Sequence, residues 1–155
     1  MRYLIEVKDC SAQTVVSVRG RATPEDVGSF VERAFDELFG YLGELDVLPA
    51  GPPLAVYHGG GAEDTSLDVE ACVPVSQAVL PRGRIAVHEL AAATVAATLH
   101  SGPYEEERPA YRALLTWMEE HGHGPAGPPR ELYLVNPGDT DDPAEYRTEI
   151  AWPIH

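Results

Sequence analysis

An α+β domain made of two copies of a β-β-α-β-β unit, its two helices packed on a largely antiparallel sheet, is the fold this sequence predicts. Three observations lead there. Residues 15–74 recur as residues 94–153: the string PAGPP stands at 49–53 and again at 125–129, and Pro24, Tyr57, Glu70 and Pro74 match Pro103, Tyr133, Glu149 and Pro153 in the same order. Within each copy one stretch carries apolar residues at steps of three and four, the spacing of a helix face. After each such stretch come two short runs of strand-forming residues separated by turn residues, the pattern of a hairpin. Two stacked copies leave a cleft near their pseudo-two-fold axis.

Taken in order, the apolar run at residues 3–7 reads as a strand before the first copy, and residues 84–89 play the same part before the second. Val15, Val16 and Val18 form a β-branched run. Thr23 supplies a helix N-cap ahead of Pro24, which suits the first helical position. Val27, Phe30, Val31, Ala34, Phe35, Leu38, Phe39 and Leu42 then line one face of a helix of about five turns. The second helix starts near Glu105. There Glu105, Glu106 and Glu107 crowd the first turn, where the helix dipole favours them, and Tyr111, Leu114, Leu115 and Met118 carry the stripe on to Gly122. Pro109 must lie in that opening turn, where backbone N–H groups have no helical acceptor. After each helix PAGPP leads into a short strand, residues 54–58 or 130–135, and then a longer one, residues 67–73 or 146–152. Gly59, Gly60 and Gly61 join two strands and open no helix, so they read as a hairpin loop and not as a phosphate cradle.

Composition narrows the function classes. With 155 residues the chain is read as one domain, the first copy at about 1–76 and the second at about 82–155. It is 44% hydrophobic and 23% charged, close to the globular average. No apolar stretch approaches the roughly 18 to 20 residues of a membrane span, and the first ten residues lack the apolar core of a signal peptide, so a soluble, cytoplasmic protein without a membrane partner is expected. Cys10 and Cys72 lie 62 positions apart with no ligand at metal spacing, which favours two reduced thiols over a disulfide or a zinc site. The 25 acidic residues against 11 Lys and Arg give a net charge of −14, a surface that repels phosphate. No direct nucleic-acid binding is expected, while a cationic ligand or a basic protein partner stays open. Neither a cofactor nor a metal is called for.

Four segments in one order, HSGPYEEE at 100–107, AYRALLTWMEEHG at 110–122, ELYLVNPGD at 131–139 and EYRTEIAWPI at 145–154, resemble the GyrI-like small-molecule-binding domain, also found as the effector-binding part of AraC-type and MerR-type transcription activators. The resemblance covers nearly the whole chain. It implies a duplicated α+β fold, a ligand cleft between the copies, and a buried acid on the last strand that meets cationic, aromatic ligands; Glu149 matches that position. The chain leaves no residues for a helix-turn-helix domain, so a stand-alone form is expected.

Along the last strand Arg147, Glu149 and Ala151 share one face, and Thr148, Ile150 and Trp152 share the other, which is expected to meet the helices. Glu131, Tyr133 and Val135 fall on the Glu149 face if pairing follows the hairpin, which makes Tyr133 and Glu149 neighbours. A carboxylate among aromatic rings is costly to desolvate alone, and a flat cation supplies both counter-charge and stacking partner. The alternative is a Glu149 paired with Arg147 or Arg130 on an exposed face. Glu70 is the counterpart of Glu149 in the first copy, as a cleft acid or a solvated one. Tyr104 and Tyr57 are candidate cleft rings and Trp117 a candidate rim residue, whereas core packing is the stronger reading for Tyr111 and Trp152. His121 and His123 read as helix-end histidines.

The expected ligand-binding set is therefore Glu149, Tyr133, Tyr104, Trp117, Tyr57 and Glu70. Three functions are open. The first is binding or sensing of a hydrophobic, cationic or polyaromatic small molecule. The second, implied by the resemblance, is a hydrolase that detoxifies cyclopropane-bearing compounds, with Glu149 orienting or activating water and Tyr133 or Tyr104 as hydrogen-bond donor. The third, also implied by the resemblance, is a gyrase-inhibitor-like protein whose acidic surface imitates DNA. Oligomeric state is not readable from the sequence.

Overall fold

The computed structural model describes residues 3–60 and 66–155, so Gly61 of the expected glycine loop lies outside the described residues. The elements follow as β1 (Glu6–Cys10), β2 (Gln13–Ala22), α1 (Val27–Glu44), β3 (Leu54–Gly60), β4 (Leu67–Pro74), β5 (Ala86–Leu90), β6 (Ala93–Ser101), α2 (Arg108–Glu120), β7 (Arg130–Val135) and β8 (Arg147–Pro153). This is β-β-α-β-β twice, an α+β fold. No helix among the described residues is long and apolar enough to cross a membrane.

The chain divides into two compact units, a first of Ala12–Ala91 and a second of Met1–Ser11 with Ala92–His155. The first carries strands in the order β3-β4-β2-β5 and the second in the order β1-β6-β8-β7, with every neighbour antiparallel. The leading strand of each copy thus pairs with the second strand of the other copy, β1 on β6 and β5 on β2.

The repeated prolines have a physical reason. In both copies the alanine of PAGPP donates its N–H to the carbonyl of the proline that ends the last strand, Ala50 to Pro74 and Ala126 to Pro153, each at 2.8 Å. The next residue lies against that proline ring in both copies: a Cβ would sit 3.6 Å from Pro74 at Gly51 and 3.5 Å from Pro153 at Gly127, ordinary packing distances. Both short strands also carry a bulge at the same place, between Tyr57 and Gly59 and between Tyr133 and Val135, leaving His58 and Leu134 as the extra residues.

Helix α1 buries Ala34, Leu38, Tyr41 and Leu42 against Val16, Val18, Ala71 and Val73. It starts later than expected: Thr23 O accepts the N–H groups of Asp26 and Val27, so residues 23–26 form a turn and Asp26 takes the N-cap position. Helix α2 is likewise preceded by a 3-10 turn, Tyr104–Glu106, and begins at Arg108 with Glu107 as N-cap and Pro109 in the opening turn. It buries Ala110, Leu114 and Met118 against Ala96, Ile150 and Ile154. Phe39 (39% exposed) and Leu115 (44%) were expected on the buried stripes and are not, because a stripe of residues three and four apart turns its flanking members toward solvent.

Each leading strand is also fastened by charge to the last strand of its sheet, across the strand between them. In the second unit Lys8 Nζ donates to Glu149 Oε2 at 2.6 Å. In the first, Glu70 lies between two imidazoles, with His58 Nε2 at 2.8 Å from one oxygen and His88 Nε2 at 2.5 Å from the other. Lys8 stands opposite Val95 and His88 opposite Val15, and the two acids are matched in register, so these are the same tie made with different bases. His88 Nδ1 faces the carbonyl of Glu89 at 3.2 Å, so both ring nitrogens face acceptors, an arrangement that only the imidazolium satisfies fully. Burial pushes the His88 pKa down, but the hydrogen bond and charge of Glu70 outweigh it and raise the value above 6.5. Burial pushes Glu70 up, and the hydrogen bonds of Ser17, His88 and His58 outweigh it and hold the carboxyl below its ordinary range.

Two outcomes follow. Leu114→Ala is expected to cost about 2–5 kcal/mol in chemical denaturation and Leu115→Ala less than about 1 kcal/mol; similar costs would place the buried stripe wrongly. A group whose pKa is raised on folding stabilises below its unfolded value and loses that contribution as pH rises through the folded one. The His88 tie is thus complete below 6.5 and lost above it, while the Glu70 contribution is lost only as pH falls below the carboxylate range. Denaturation midpoints of wild type and His88→Gln are expected to differ at about pH 6 and converge by about pH 9. A constant gap would show that the tie does not titrate.

Candidate functional site

Strand alternation and register decide which side chains β7 presents to α2. Tyr133 stands opposite Thr148 and Glu131 opposite Ile150, whereas Leu132 stands opposite Glu149. Cross-strand partners share a face. Ile150 packs under α2, so Glu131 and Tyr133 face the helix, and Glu149 points to the other side with Leu132. The expected Tyr133–Glu149 neighbourhood is therefore corrected: the hairpin pairs one residue out of the assumed register. Glu149 is 20% exposed and already holds Lys8.

On the helix side, Glu131 is buried (6% exposed) and accepts hydrogen bonds from two tyrosines, Tyr111 of α2 and Tyr133 at 3.1 Å. Tyr111 is thus more than a core ring: one edge packs on Trp152, at 5.8 Å and 76°, while its hydroxyl reaches the acid. Glu107, the N-cap of α2, is buried as well (8% exposed). Burial, the neighbouring Glu131 charge and hydrogen bonding with it push the Glu107 carboxyl up to about 9. Two tyrosine hydroxyls donate to Glu131, while burial and the Glu131 charge beside it hold Glu107 as a carboxylic acid near neutral pH. Among the described residues no ion pair reaches either acid. Glu107 Oε1 and the hydroxyl of Thr148 are buried without a hydrogen-bond partner.

Tyrosine rings continue the cluster. Tyr104 meets Tyr133 edge-on at 5.6 Å and stacks on Tyr146 at 5.1 Å. Burial raises the Tyr104 pKa, with Tyr146, Glu107, Glu131 and Asp139 adding to the effect. The ring is placed by a backbone bend at Gly102, whose φ of 112° lies in the left-handed region that favours glycine. Beneath it, buried His100 binds the Pro103 carbonyl at 2.9 Å through Nε2 and the Tyr3 hydroxyl at 3.1 Å through Nδ1.

Of the expected site residues, Tyr133 and Tyr104 come together here. Trp117 is on α2 but stacks on His121 and His123, at 4.4 and 5.3 Å, and borders a separate open groove of about 540 Å³ with Tyr3 and Ile5. His121 contacts the Trp117 carbonyl at 2.8 Å, as a helix-end histidine does. Tyr57 and Glu70 belong to the first unit, Tyr57 opposite Val69 on β3. Among the described residues no set of three side chains converges as metal ligands; His58 and His88 approach opposite oxygens of Glu70. Glu107 and Glu131 were not singled out as site residues by the sequence. The available signal was the repeat itself, since Glu131 stands where the first copy has Ala55.

No curated protein matches the chain. Among solved structures, EcmrR in a DNA complex superposes with a TM-score of 0.88 at 25% identity, over 99% of this chain and 57% of that one. This chain thus spans little more than half of EcmrR. The EcmrR C-terminal domain alone gives 0.81 at 26% identity, over 100% of this chain and 99% of that one. SAV2435 bound to tetraphenylphosphonium gives 0.69 at 15% identity, over 100% and 94%. A hydrolase from Listeria innocua gives 0.72 at 15%, over 97% and 91%. The GyrI-like small-molecule-binding domain family model matches residues 4–155. With its duplicated α+β fold, the chain belongs to the GyrI-like small-molecule-binding domain family.

Proposed function

We propose that the second unit binds a hydrophobic, aromatic cation, with Glu131 as counter-charge and the rings of Tyr104, Tyr133 and Tyr146 as stacking surfaces. The observation that carries this reading is a buried carboxylate held by two tyrosine hydroxyls and not neutralised by any base among the described residues. An ionised group in that setting is stabilised by an incoming cation, and tyrosine faces attract the same charge. Glu149 is a weaker candidate because Lys8 already occupies it. Tetraphenylphosphonium on SAV2435, a protein of the same fold, supports the ligand class. Sensing as part of a regulator is the corresponding role suggested by EcmrR.

A second reading rests on the same pair. One carboxyl held protonated beside one held ionised is an acid and a base made from one residue type. Glu131 would take a proton from water as its oxygen bonds to a strained electrophile such as a cyclopropane, and Glu107 would protonate the atom that receives the broken bond's electrons. The Listeria hydrolase with this fold supports it.

Calorimetry separates the readings. Glu131→Gln is expected to weaken tetraphenylphosphonium at least about tenfold, the scale of a hydrogen-bonded charge, and to leave neutral triphenylphosphine oxide nearly unaffected. Equal losses would end the counter-charge assignment. For the hydrolase, mass spectrometry of a cyclopropane-bearing compound should show a product one water heavier with wild type and none with Glu131→Gln; the compound recovered unchanged from wild type would leave binding alone.

A further inference from the structure

Two carboxyl groups buried side by side, with no ion pair to either among the described residues, do not both ionise at neutral pH, so this site holds a proton before any ligand arrives. Its location follows from the partners. Glu131 already accepts from two hydroxyl donors, while Glu107 has an oxygen buried with no partner and is more than nine-tenths buried. The other groups facing the pair do not alter this assignment. From the 3-10 turn come Tyr104 and Glu105; from α2, Tyr111; from β7, Tyr133; from β8, Thr148; Tyr146 and Asp139 act on Tyr104 behind them. Tyr3 stands behind Glu107 with its hydroxyl on His100. None is a Lys or Arg, and the acids among them further oppose a second negative charge.

We infer that the site exchanges a proton for its ligand: an organic cation that settles beside Glu131 drives the proton off Glu107 into solvent, and the cation then lies between two carboxylates, the net charge of the site staying at one negative. This rests on the reading that the cluster is the ligand site. The step conserves charge, with one cation in and one proton out. It also explains why two acids are kept in one buried place when one would serve as counter-charge. A neutral aromatic compound of the same shape has nothing to give in exchange and leaves the proton where it is. Regulation follows directly. With Glu107 held protonated up to about 9, binding that releases a proton strengthens as pH rises, by up to about tenfold per pH unit, and levels off above that value.

Isothermal titration of the full chain with tetraphenylphosphonium near neutral pH, in buffers of different ionisation heat such as phosphate and Tris, reads the proton count. The expected slope is one proton released per cation. With triphenylphosphine oxide the heat should be independent of buffer, and for Glu107→Gln cation binding should depend on neither buffer nor pH. Gln has the shape of a protonated Glu, so the variant should fold, which thermal unfolding checks. Buffer-independent heat of tetraphenylphosphonium binding to wild type overturns the exchange and leaves the ligand site standing; no binding heat in any buffer overturns both. Infrared difference spectra give a readout without ligand. The carbonyl stretch of an un-ionised carboxylic acid should be present in wild type near neutral pH and absent in Glu107→Gln, and a wild-type spectrum lacking that band overturns the proposal whatever binds.

Discussion

The register of β7 on β8 is the constraint on which the site depends. Because side chains alternate along a strand, pairing Tyr133 with Thr148 sends Glu131 and Tyr133 under α2 and leaves Leu132 beside Glu149. A slip of one residue would turn both Glu131 and Tyr133 away from Tyr111 and Glu107. The register is pinned at two ends. At one, Ala126 donates to Pro153 with Gly127 packed on the proline ring; at the other, the bulge at Leu134 absorbs an extra residue before the chain turns.

The two copies share this skeleton and differ in what they put on it. Tyr57 and Tyr133, the bulges and the PAGPP bonds correspond, yet where the second copy has Glu131 the first has Ala55, fully buried. An apolar residue there needs no partner, so the first unit is freed from the desolvation cost that the second carries. The opposite faces of the sheets diverge as well. Lys8 ties Glu149 with a base whose pKa is raised further, whereas His88 ties Glu70 with an imidazole that loses its charge as pH rises above the ordinary histidine range.

Much of the fold was legible in the sequence because repetition and periodicity are local signals. The strand at 130–135, the hairpins and the inward-facing Ile150 and Trp152 could be read directly from alternation. Register and partner choice are not local. Nothing between Cys10 and Gln13 announces that β1 will pair with β6 and not with β2, and a bulge adds a residue without changing composition. The site was legible in part for the same reason. Tyr104 and Tyr133 were found from their place in turns and strands, but Glu107 looked like one of three interchangeable helix-start acids. Only its burial as N-cap sets it apart from Glu105 and Glu106, which are exposed. His58 was hidden by the bulge that aims it at Glu70.

The exchange of leading strands bears on how such a duplicated chain can have arisen and how it can be divided. A single copy, residues 1–76, carries a first strand whose hydrogen-bonding partner lies in the missing half, and its own sheet ends at β2 with an unpaired edge. Alone it would complete both by lending β1 to a second molecule and borrowing that molecule's β1 in return, the reciprocal pairing of a strand-swapped homodimer. Fusion of two such chains in tandem turns the intermolecular exchange into an intramolecular one without altering a single ladder. Once fused, the halves no longer have to stay identical, and one half is free to acquire a buried acid that a symmetric pair would have had to carry twice.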